Sequence, residues 1–357
     1  MPKLTFIVAG DPAQLTGSHV YDARVVAALR EQGWQIDVIG LDGRFPEPDT
    51  RATQALESAL AAQPEGASVI IDGMAMGGLP EVVAKHATRL DITALVHHPL
   101  ADETGLDDAQ RTRFTISETR ALAAANRVIA TSPFTARRLA DFEVPAEQVF
   151  VVEPGVEPAP LAASVERPSA GRQRLLCVAT LTPRKGHDVL VDALAQLSEF
   201  DWQCECVGGL KHDPRHAEAI AARIRDKGLE DRIHLVGERA AEALSESYDQ
   251  ADLFVLPSHY EGYGMVIAEA VSRGLPVITT TGGALAYTLP RGAGIGVVPG
   301  DSQALAESLR QWFTDATLRE RLRQGARQAR SSLRSWSDIG RAFATALASP
   351  PRRHHPD

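Results

Sequence analysis

The stretch LPSHYEGYGMVIAEAVSRGLPVI, residues 256–278, decides the fold predicted for the second half of the chain. An apolar run of strand character ends at Pro257, a glycine–aromatic–glycine turn follows, and an apolar helical segment leads to a second strand-like run. Two carboxylates, Glu261 in the turn and Glu269 on the predicted helix, stand eight positions apart. A strand, a glycine turn and a helix in this order predict one unit of a parallel α/β sheet.

The same alternation extends over most of the chain. Strand-like runs occur near residues 4–9, 36–39, 68–71, 94–97, 128–130 and 149–152, and the series restarts after residue 173. We therefore predict two doubly wound, Rossmann-like α/β domains facing across a cleft. The predicted boundaries are a first domain at 1–154, a Pro-, Ala- and Ser-rich linker at 155–173, a second domain at 174–330, a terminal helix at 331–349 and a disordered tail at 350–357.

Composition narrows the class of protein. The chain has 357 residues, 44% of them hydrophobic, and a formal net charge of −9, which argues against a nucleic-acid partner. The first 150 residues hold 20 acidic and 13 basic side chains, so a strong polybasic membrane contact is not expected there, although peripheral contact stays open. No run approaches the roughly 20 apolar residues of a membrane span.

Cysteine content and the first residues predict the compartment. Three cysteines do not suggest a disulfide framework, and Cys204 and Cys206 alternate on a strand-like run where burial is the better interpretation than a metal pair. The first residues, PKLTFIVAG, predict a β-strand and not a signal peptide. We expect a cytoplasmic protein.

Several common catalytic classes lack their motifs. After the first strand the sequence GDPAQLTGS places Gly10 and Gly17 too far apart for a dinucleotide-binding GxGxxG motif. The patterns GxxxxGK[ST], HExxH, GxSxG and Asp-x-Asp are all missing from the sequence. We therefore expect a site without a metal and without a cofactor.

The opening stretch has the features of a ligand site. Gly262 and Gly264 allow close backbone approach and backbone torsions that are closed to other residues. The helix N-terminus near Tyr263 offers N–H groups to a phosphate or an oxygen-rich ligand. Eight helical positions place Glu269 roughly 80° around and about 12 Å along the axis from Glu261, which suits one elongated ligand. The alternative is an ordinary solvated pair of glutamates.

A second constellation is LTPRKGHDVLVDAL, residues 181–194, which follows the first strand of the second domain. Arg184 and Lys185 are adjacent cations at the predicted carboxyl edge of the sheet, where they suit a diphosphate leaving group. Without a metal motif, these two cations would neutralise the charge that develops on the phosphate. Two solvated basic residues before a helix are the alternative.

The first domain offers weaker candidates. His97 and His98 end a predicted strand, alternation slightly favours His98 as the one in the site, and Glu103 in the same loop could hold an acceptor hydroxyl. Gly17 and Ser18 open the first helix, where free N–H groups could meet a phosphate. A structural histidine and a simple helix cap at Ser18 are the alternatives.

Together these motifs resemble the family 4 glycosyltransferases, which are retaining enzymes of the GT-B fold. The resemblance rests on RKG at 184–186, DLFVLPSHYEGYG at 252–264, the Glu261/Glu269 pair and GLPVI at 274–278. It is supported by VVEPGV before the linker and by ATS at 130–132. It covers nearly the whole chain.

The resemblance implies roles for these residues. Arg184 and Lys185 would bind the donor diphosphate, Glu261 the donor sugar hydroxyls and Glu269 the ribose. The amides of 262–264 would position sugar or phosphate, Gly17 would lie beside the phosphates, and His98 or His97 would lie near the sugar. The first domain would then be the acceptor side and the second the nucleotide-sugar side, and the terminal helix would return to the first domain.

Two positions depart from the family pattern. TTTGGALAYTLP has Ala, Leu and Tyr after its glycine pair in place of Pro-Glu, and TGSHV has one glycine where a pair is usual. Both departures concern individual donor contacts and leave the fold prediction unchanged.

The implied chemistry is metal-independent transfer of a sugar from a UDP-, GDP- or ADP-sugar to a hydroxyl acceptor, a small molecule or a glycan, with the configuration retained. No side chain is placed as a covalent nucleophile, so the leaving phosphate would assist deprotonation of the acceptor on the same face. A nucleotide-sugar 2-epimerase of the same fold and a non-catalytic nucleotide-sugar-binding protein stay open as alternatives.

Overall fold

The structure is a computed structural model that describes residues 1–14, 16–166 and 171–350. The chain divides into two compact units, one made of Met1–Gly155 with Arg334–Asp357 and the other of Val156–Leu333. Residues 167–170 of the predicted linker and 351–357 of the predicted tail lie outside the described residues. In the described part of the chain, no helix is both long and apolar enough to cross a membrane.

The first unit is built on a parallel sheet. Its strands run in the order β2-β1-β3-β4-β5-β6. Ile70, Ile71, Val128 and Ile129 have no exposed surface, as expected for strands covered on both faces. The strands are β1 Lys3–Ala9, β2 Gln35–Leu41, β3 Ser68–Asp72, β4 Asp91–Val96, β5 Arg127–Ala130 and β6 Val149–Val151.

Helices connect these strands. They are α1 Gly17–Glu31, α2 Thr50–Ala61, α3 Gly73–Met76, α4 Pro80–His86, α5 Asp108–Ala123 and α6 Pro133–Arg138, with 3₁₀ turns at Leu100–Asp102, Leu139–Phe142 and Ala146–Gln148. A capping box between Asp107 and Gln110 starts α5. Gly33, at φ +88°, follows the end of α1 with the left-handed torsion typical of a helix stop.

The C-terminal helix, Trp336–Ala348, belongs to the first unit, which confirms the predicted return. It starts with a capping box between Ser335 and Asp338. It packs closely on α1, because a Cβ at Gly340 would lie 2.7 Å from Ala28 Cβ. The ring of Trp336 also meets Tyr21 edge-on, with centroids 5.8 Å apart.

The second unit is a second parallel α/β layer with strand order β12-β11-β10-β7-β8-β9. Its strands are β7 Gln173–Val178, β8 Trp202–Val207, β9 Ile233–Gly237, β10 Leu253–Leu256, β11 Val277–Thr280 and β12 Gly294–Val297. Cys204 and Cys206 are 0% and 2% exposed on β8, so the prediction of buried cysteines is confirmed. Strand β12 was not predicted, because its two glycines in GIGV weaken any strand signal.

The helices of the second unit are α7 Ala163–Glu166, α8 His187–Ala195, α9 Pro214–Asp226, α10 Ala241–Gln250, α11 Met265–Ser272, α12 Leu285–Thr288, α13 Ser302–Thr314 and α14 Ala316–Ala329. Short 3₁₀ turns occupy Pro183–Lys185 and Arg330–Ser332. Part of the predicted linker is attached to this unit: Ala162 N donates to Arg273 O at 2.9 Å, and Ala163 N donates to Asp249 Oδ1 at 2.8 Å.

Gly186 links β7 to α8 through a tight backbone approach. It has φ +66°, and a Cβ there would lie 2.2 Å from Pro257 O in the loop after β10. Gly228 has nearly the same torsion, φ +65°, with no atom within 4 Å of its added Cβ. Of these two glycines, only Gly186 therefore combines a left-handed torsion with a backbone collision.

We predict that Gly186→Ala destabilises the protein by about 3 kcal/mol or more, while Gly228→Ala costs about 1 kcal/mol, because only the first adds a collision to the torsional strain. Urea unfolding midpoints of the two variants measure the difference. Equal losses for both variants would contradict the packing of Gly186 against Pro257.

Candidate functional site

The sheet of the second unit contains a topological switch point between β7 and β10. From β7 the strand order proceeds to β8 and β9 on one side, and from β10 to β11 and β12 on the other. Ligands of open α/β sheets bind outside the carboxyl ends of the strands at such a point. Two loops leave the sheet there, residues 179–186 after β7 and 257–264 after β10.

These two loops bring three of the predicted site residues together around one carboxylate. Lys185 Nζ lies 2.5 Å from Glu261 Oε1, and Arg184 Nη1 lies 3.2 Å from Glu261 Oε2. Ser258 Oγ donates to Glu261 Oε1 at 2.7 Å, and Arg184 also donates to Tyr260 O at 2.9 Å. Residues 76 and 77 positions apart in sequence thus form one ionic cluster, which we call the RKE cluster (Arg184, Lys185 and Glu261).

Charge in the RKE cluster is controlled by burial and by the two cations. Burial acts to raise the pKa of Glu261, but the charges of Lys185 and Arg184, with hydrogen bonds from Lys185 and Ser258, bring that pKa down to about 2. Glu261 is therefore an anion at neutral pH. Burial lowers the pKa of Lys185, Arg184 adds to this effect, and the carboxylate of Glu261 opposes it. With all three groups ionised the cluster carries one net positive charge, which suits an anionic ligand.

The glycine pair after β11 holds the backbone of Glu261. Glu261 and Gly283 form an isolated parallel bridge, and Ala284 N donates to Glu261 O at 2.8 Å. Gly283 has φ +62°, and a Cβ there would lie 2.3 Å from Glu261 O. Gly283 therefore lets a third loop, the one after β11, approach and support the backbone of Glu261. It belongs to the glycine pair whose following residues depart from the family pattern.

The turn after Glu261 is only partly as predicted. Gly264 has φ +89° and precedes the first residue of α11, so its special torsion is confirmed. Gly262 does not have a positive φ, and the expectation of a special torsion there is wrong. Tyr263 O accepts from Thr288 Oγ1 at 2.5 Å, which ties the turn to α12.

Glu269 lies on α11, but its expected geometry relative to Glu261 is wrong. The helix begins at Met265, so Glu261 lies outside it and the helical rotation and rise do not apply between the two carboxylates. Glu269 is half-buried, and its Oε2 accepts a hydrogen bond of 2.8 Å from Tyr248 Oη.

In the first unit, His97 belongs to a buried polar group. His97 Nε2 lies 3.0 Å from Asp22 Oδ1, and its ring meets Tyr21 edge-on. Burial acts to lower the pKa of His97, but the charge and hydrogen bond of Asp22 and the charge of Asp72 raise it overall. Burial raises the pKa of Asp72 itself to about 6. His97 therefore has its own anionic partners within the first unit.

His98 points to a different partner. Its Nε2 lies 3.4 Å from Glu103 Oε2, so the structure brings together His98 and the glutamate predicted in the same loop. That loop is fixed from beneath by α5, since Glu118 accepts from the backbone N–H groups of Leu100 at 2.8 Å and Ala101 at 3.1 Å.

The first helix starts two positions earlier than the capping interpretation of Ser18 requires. Helix α1 begins at Gly17 and its N-cap is Thr16, so Ser18 is inside the first turn and the cap assignment is wrong. Thr16 Oγ1 contacts His19 Nδ1 at 2.7 Å, while His19 Nε2 lies 3.0 Å from Ala9 O. Gly17 and Ser18 open α1, the first helix after β1, as predicted.

Sequence reasoning missed the residues that support the candidates. Ser258 lies in the quoted Pro-Ser dipeptide and could have been found there, since a hydroxyl three positions before a carboxylate can reach it across a turn. Asp22, Asp72, Glu118 and Tyr248 had no such signal, because each is distant in sequence from the group it contacts.

Glu118 provides a pH-dependent test of the loop that carries His98. It is 3% exposed, and burial raises its pKa to about 7, with Asp102 adding to the rise while the two N–H bonds and Arg138 oppose it. A carboxyl group with a raised pKa stabilises the folded protein at low pH and loses that contribution as the pH rises through the raised value.

Because of Glu118, the unfolding free energy of the native protein should fall by about 3 kcal/mol between pH 4.5 and pH 8. We predict that Glu118→Gln removes this fall. Urea unfolding at pH 5 and pH 8 measures this change as the difference between native protein and variant. Glu81→Gln, an exposed position on α4, is the control and should show no such trend. A native-to-variant difference that stays constant with pH would contradict the assignment.

Two family models match the chain. Residues 162–329 match the model described as "Glycosyl transferases group 1", and residues 73–159 match "Glycosyltransferase Family 4". The first match contains the whole RKE cluster and Glu269, and the second contains His97, His98 and Glu103.

Curated relatives are similar over part of their length. Mannosylfructose-phosphate synthase of Agrobacterium fabrum is 34% identical over 173 residues, which are 46% of this chain and 38% of that protein. D-inositol 3-phosphate glycosyltransferase of Kineococcus radiotolerans is 31% identical over 241 residues, which are 60% of this chain and 55% of that protein. The matched region thus spans about half the length of these relatives or less.

Solved structures share the fold over almost the whole chain. Sucrose-phosphate synthase from Thermosynechococcus elongatus superposes with a TM-score of 0.81 at 23% identity, covering 97% of this chain and 98% of the other. Anabaena HepE in complex with UDP-glucose gives a TM-score of 0.76 at 19% identity, covering 97% and 100%. The two units are therefore the two Rossmann-like domains of the GT-B fold, and with both family models matched the chain belongs to the family 4 glycosyltransferases.

Proposed function

We propose that this protein transfers a sugar, of the hexosyl type, from a nucleoside-diphosphate sugar to a hydroxyl acceptor, with retention of configuration and without a metal ion. The observation that carries the proposal is the RKE cluster at the switch point of the second unit. Family membership supports the reaction class.

The cations of the RKE cluster would bind the donor diphosphate. Arg184 offers a forked donor and Lys185 a compact charge, and both are less than about a quarter exposed, at 20% and 18% of their side chains. In such a partly buried place, fixed cations stabilise developing phosphate charge better than they would in water. Since Lys and Arg would supply this neutralisation, we propose that a metal ion is not needed for it.

Glu261 would have two roles in this proposal. Its low pKa keeps it ionised, so it holds both cations in the two loops and offers carboxylate oxygens to hydroxyls of the donor sugar. The amides near Gly262, Tyr263 and Gly264 would position sugar or phosphate at the start of α11. Glu269 on the same helix would accept from the ribose hydroxyls.

The first unit would supply the acceptor side. We propose His98 as the histidine near the transferred sugar, because it lies beside Glu103, a carboxylate that suits an acceptor hydroxyl. His97 is the less suitable candidate, since Asp22 already occupies its Nε2. Gly17 and Ser18 would offer N–H groups to the phosphates.

Donor and acceptor identities remain to be tested. HepE was crystallised with UDP-glucose, so UDP-glucose is the first donor to examine, followed by GDP- and ADP-sugars. The acidic first domain favours a small neutral or cationic acceptor over an anionic lipid surface. The cytoplasmic location expected from the sequence stays a prediction.

Release of nucleoside diphosphate separates the candidate functions. The protein is incubated with each nucleotide sugar, with and without a pool of small acceptors from a cell extract. Acceptor-dependent release of diphosphate together with a new glycoside supports a transferase. Release of a free epimeric sugar without acceptor supports a 2-epimerase, and binding without turnover supports a non-catalytic binding protein.

We predict that Lys185→Ala lowers turnover by about 10²–10³-fold and weakens donor binding as well, because a fixed cation at the developing phosphate charge is lost. Lys227→Ala is the matched control, since Lys227 is exposed at the C-terminal end of α9. This variant should keep native activity. Calorimetric binding and diphosphate release are measured for both. Native turnover in Lys185→Ala would falsify the assigned role of Lys185.

A further inference from the structure

Tyr248 is held rigidly beneath α11. It lies on α10, is 1% exposed, and stacks on Phe254 with ring centroids 5.9 Å apart and an interplanar angle of 23°. The guanidinium of Arg273 lies 4.6 Å from the centroid of the same ring. With an aromatic ring and a planar cation packed against it, the tyrosine ring has little freedom to reorient.

The hydroxyl group of Tyr248 is directed at one carboxylate. It donates to Glu269 Oε2 at 2.8 Å, and Arg273 Nη1 donates to the backbone oxygen of Glu269 at 3.3 Å. Burial, and then the nearby Glu269, raise the pKa of Tyr248 well above its ordinary value. The phenol is therefore protonated at neutral pH and can donate to Glu269.

We propose that Tyr248 is a positioning residue that orients the Glu269 carboxylate toward the ribose hydroxyls of a nucleoside diphosphate. This inference rests on the proposed function, in which Glu269 binds ribose. A glutamate side chain on a helix has several rotamers, and its carboxylate can rotate about the last bond. A hydrogen bond from a fixed ring selects one orientation before the ligand arrives, as outer partners do for ligands of metal sites.

A fixed carboxylate should recognise ribose chiefly by its pair of hydroxyls. A site built to accept from those hydroxyls loses binding when they are missing, because its polar group is left without its partner. The expected signature of Tyr248 is therefore a change in the preference for ribose over dideoxyribose. A general loss of folding or of phosphate binding would weaken both ligands alike.

The test compares calorimetric dissociation constants for UDP and 2′,3′-dideoxy-UDP, and for the corresponding guanosine and adenosine pairs, in the native protein and in Tyr248→Phe. We expect the native protein to prefer the ribose form by about 30-fold for the base that it accepts, and Tyr248→Phe to reduce that preference to about 3-fold. Affinity for the dideoxy form should change by less than about twofold, since its contacts do not include Glu269.

Further variants separate positioning from packing. Phe254→Leu disturbs the stack but keeps the hydroxyl, and should leave most of the ribose preference in place. In a Glu269→Gln background, Tyr248→Phe should add nothing to the lost preference, because it acts only through that carboxylate. If Tyr248→Phe does not fold, Arg273→Met replaces it as the test variant. It uncovers one face of the ring and should lower the preference by about 3-fold.

The outcomes distinguish the positioning role of Tyr248 from the proposed function on which it rests. A folded Tyr248→Phe with native ribose preference, or a Phe254→Leu variant that loses as much preference, overturns the positioning role and leaves the proposed function standing. A native protein that binds none of the three nucleoside diphosphates overturns both. Loss of preference confined to Tyr248→Phe and Glu269→Gln supports the inference.

Discussion

One buried carboxylate, Glu261, organises the second unit's candidate site. Removing a charge from water costs several kcal/mol unless partners of opposite charge and hydrogen bonds replace the solvent. Here two cations from the loop after β7, a serine hydroxyl from its own loop and a glycine from the loop after β11 all converge on this residue. Loss of any one partner would leave charge exposed to a poorly solvating interior, so the three loops depend on one another.

The order of strands explains why those loops meet. Residues of β7 and β10 are far apart in sequence, but the strands are hydrogen-bonded neighbours at the centre of the sheet. Gly186 then brings the backbone after β7 against Pro257. A polar cluster of this kind needs its backbone segments to lie very close together, and glycines allow this because they have no Cβ. The fold supplies the meeting point, and the glycines at the loop ends supply the close approach.

Much of the fold could be predicted from periodicity, because buried parallel strands such as 68–71 and 128–130 are continuous apolar runs between helical patterns. The cluster partners Arg184, Lys185 and Glu261 could be predicted because each lies just after such a run. The contact of Tyr248 with Glu269 and the Asp22–His97 pair could not be predicted, since each joins residues on different elements. Strand β12 was missed because its glycines carry little strand preference.

The discontinuity of the first unit has a consequence for biosynthesis. Its C-terminal helix is made only after the ribosome has synthesised all of Val156–Leu333. Until then, that helix does not cover the surface of α1 around Ala28, where Gly340 packs in the folded unit. It also does not cover Tyr21, whose ring meets Trp336. The second unit, Val156–Leu333, is therefore fully synthesised before the first unit, which is without its C-terminal helix until the end of translation.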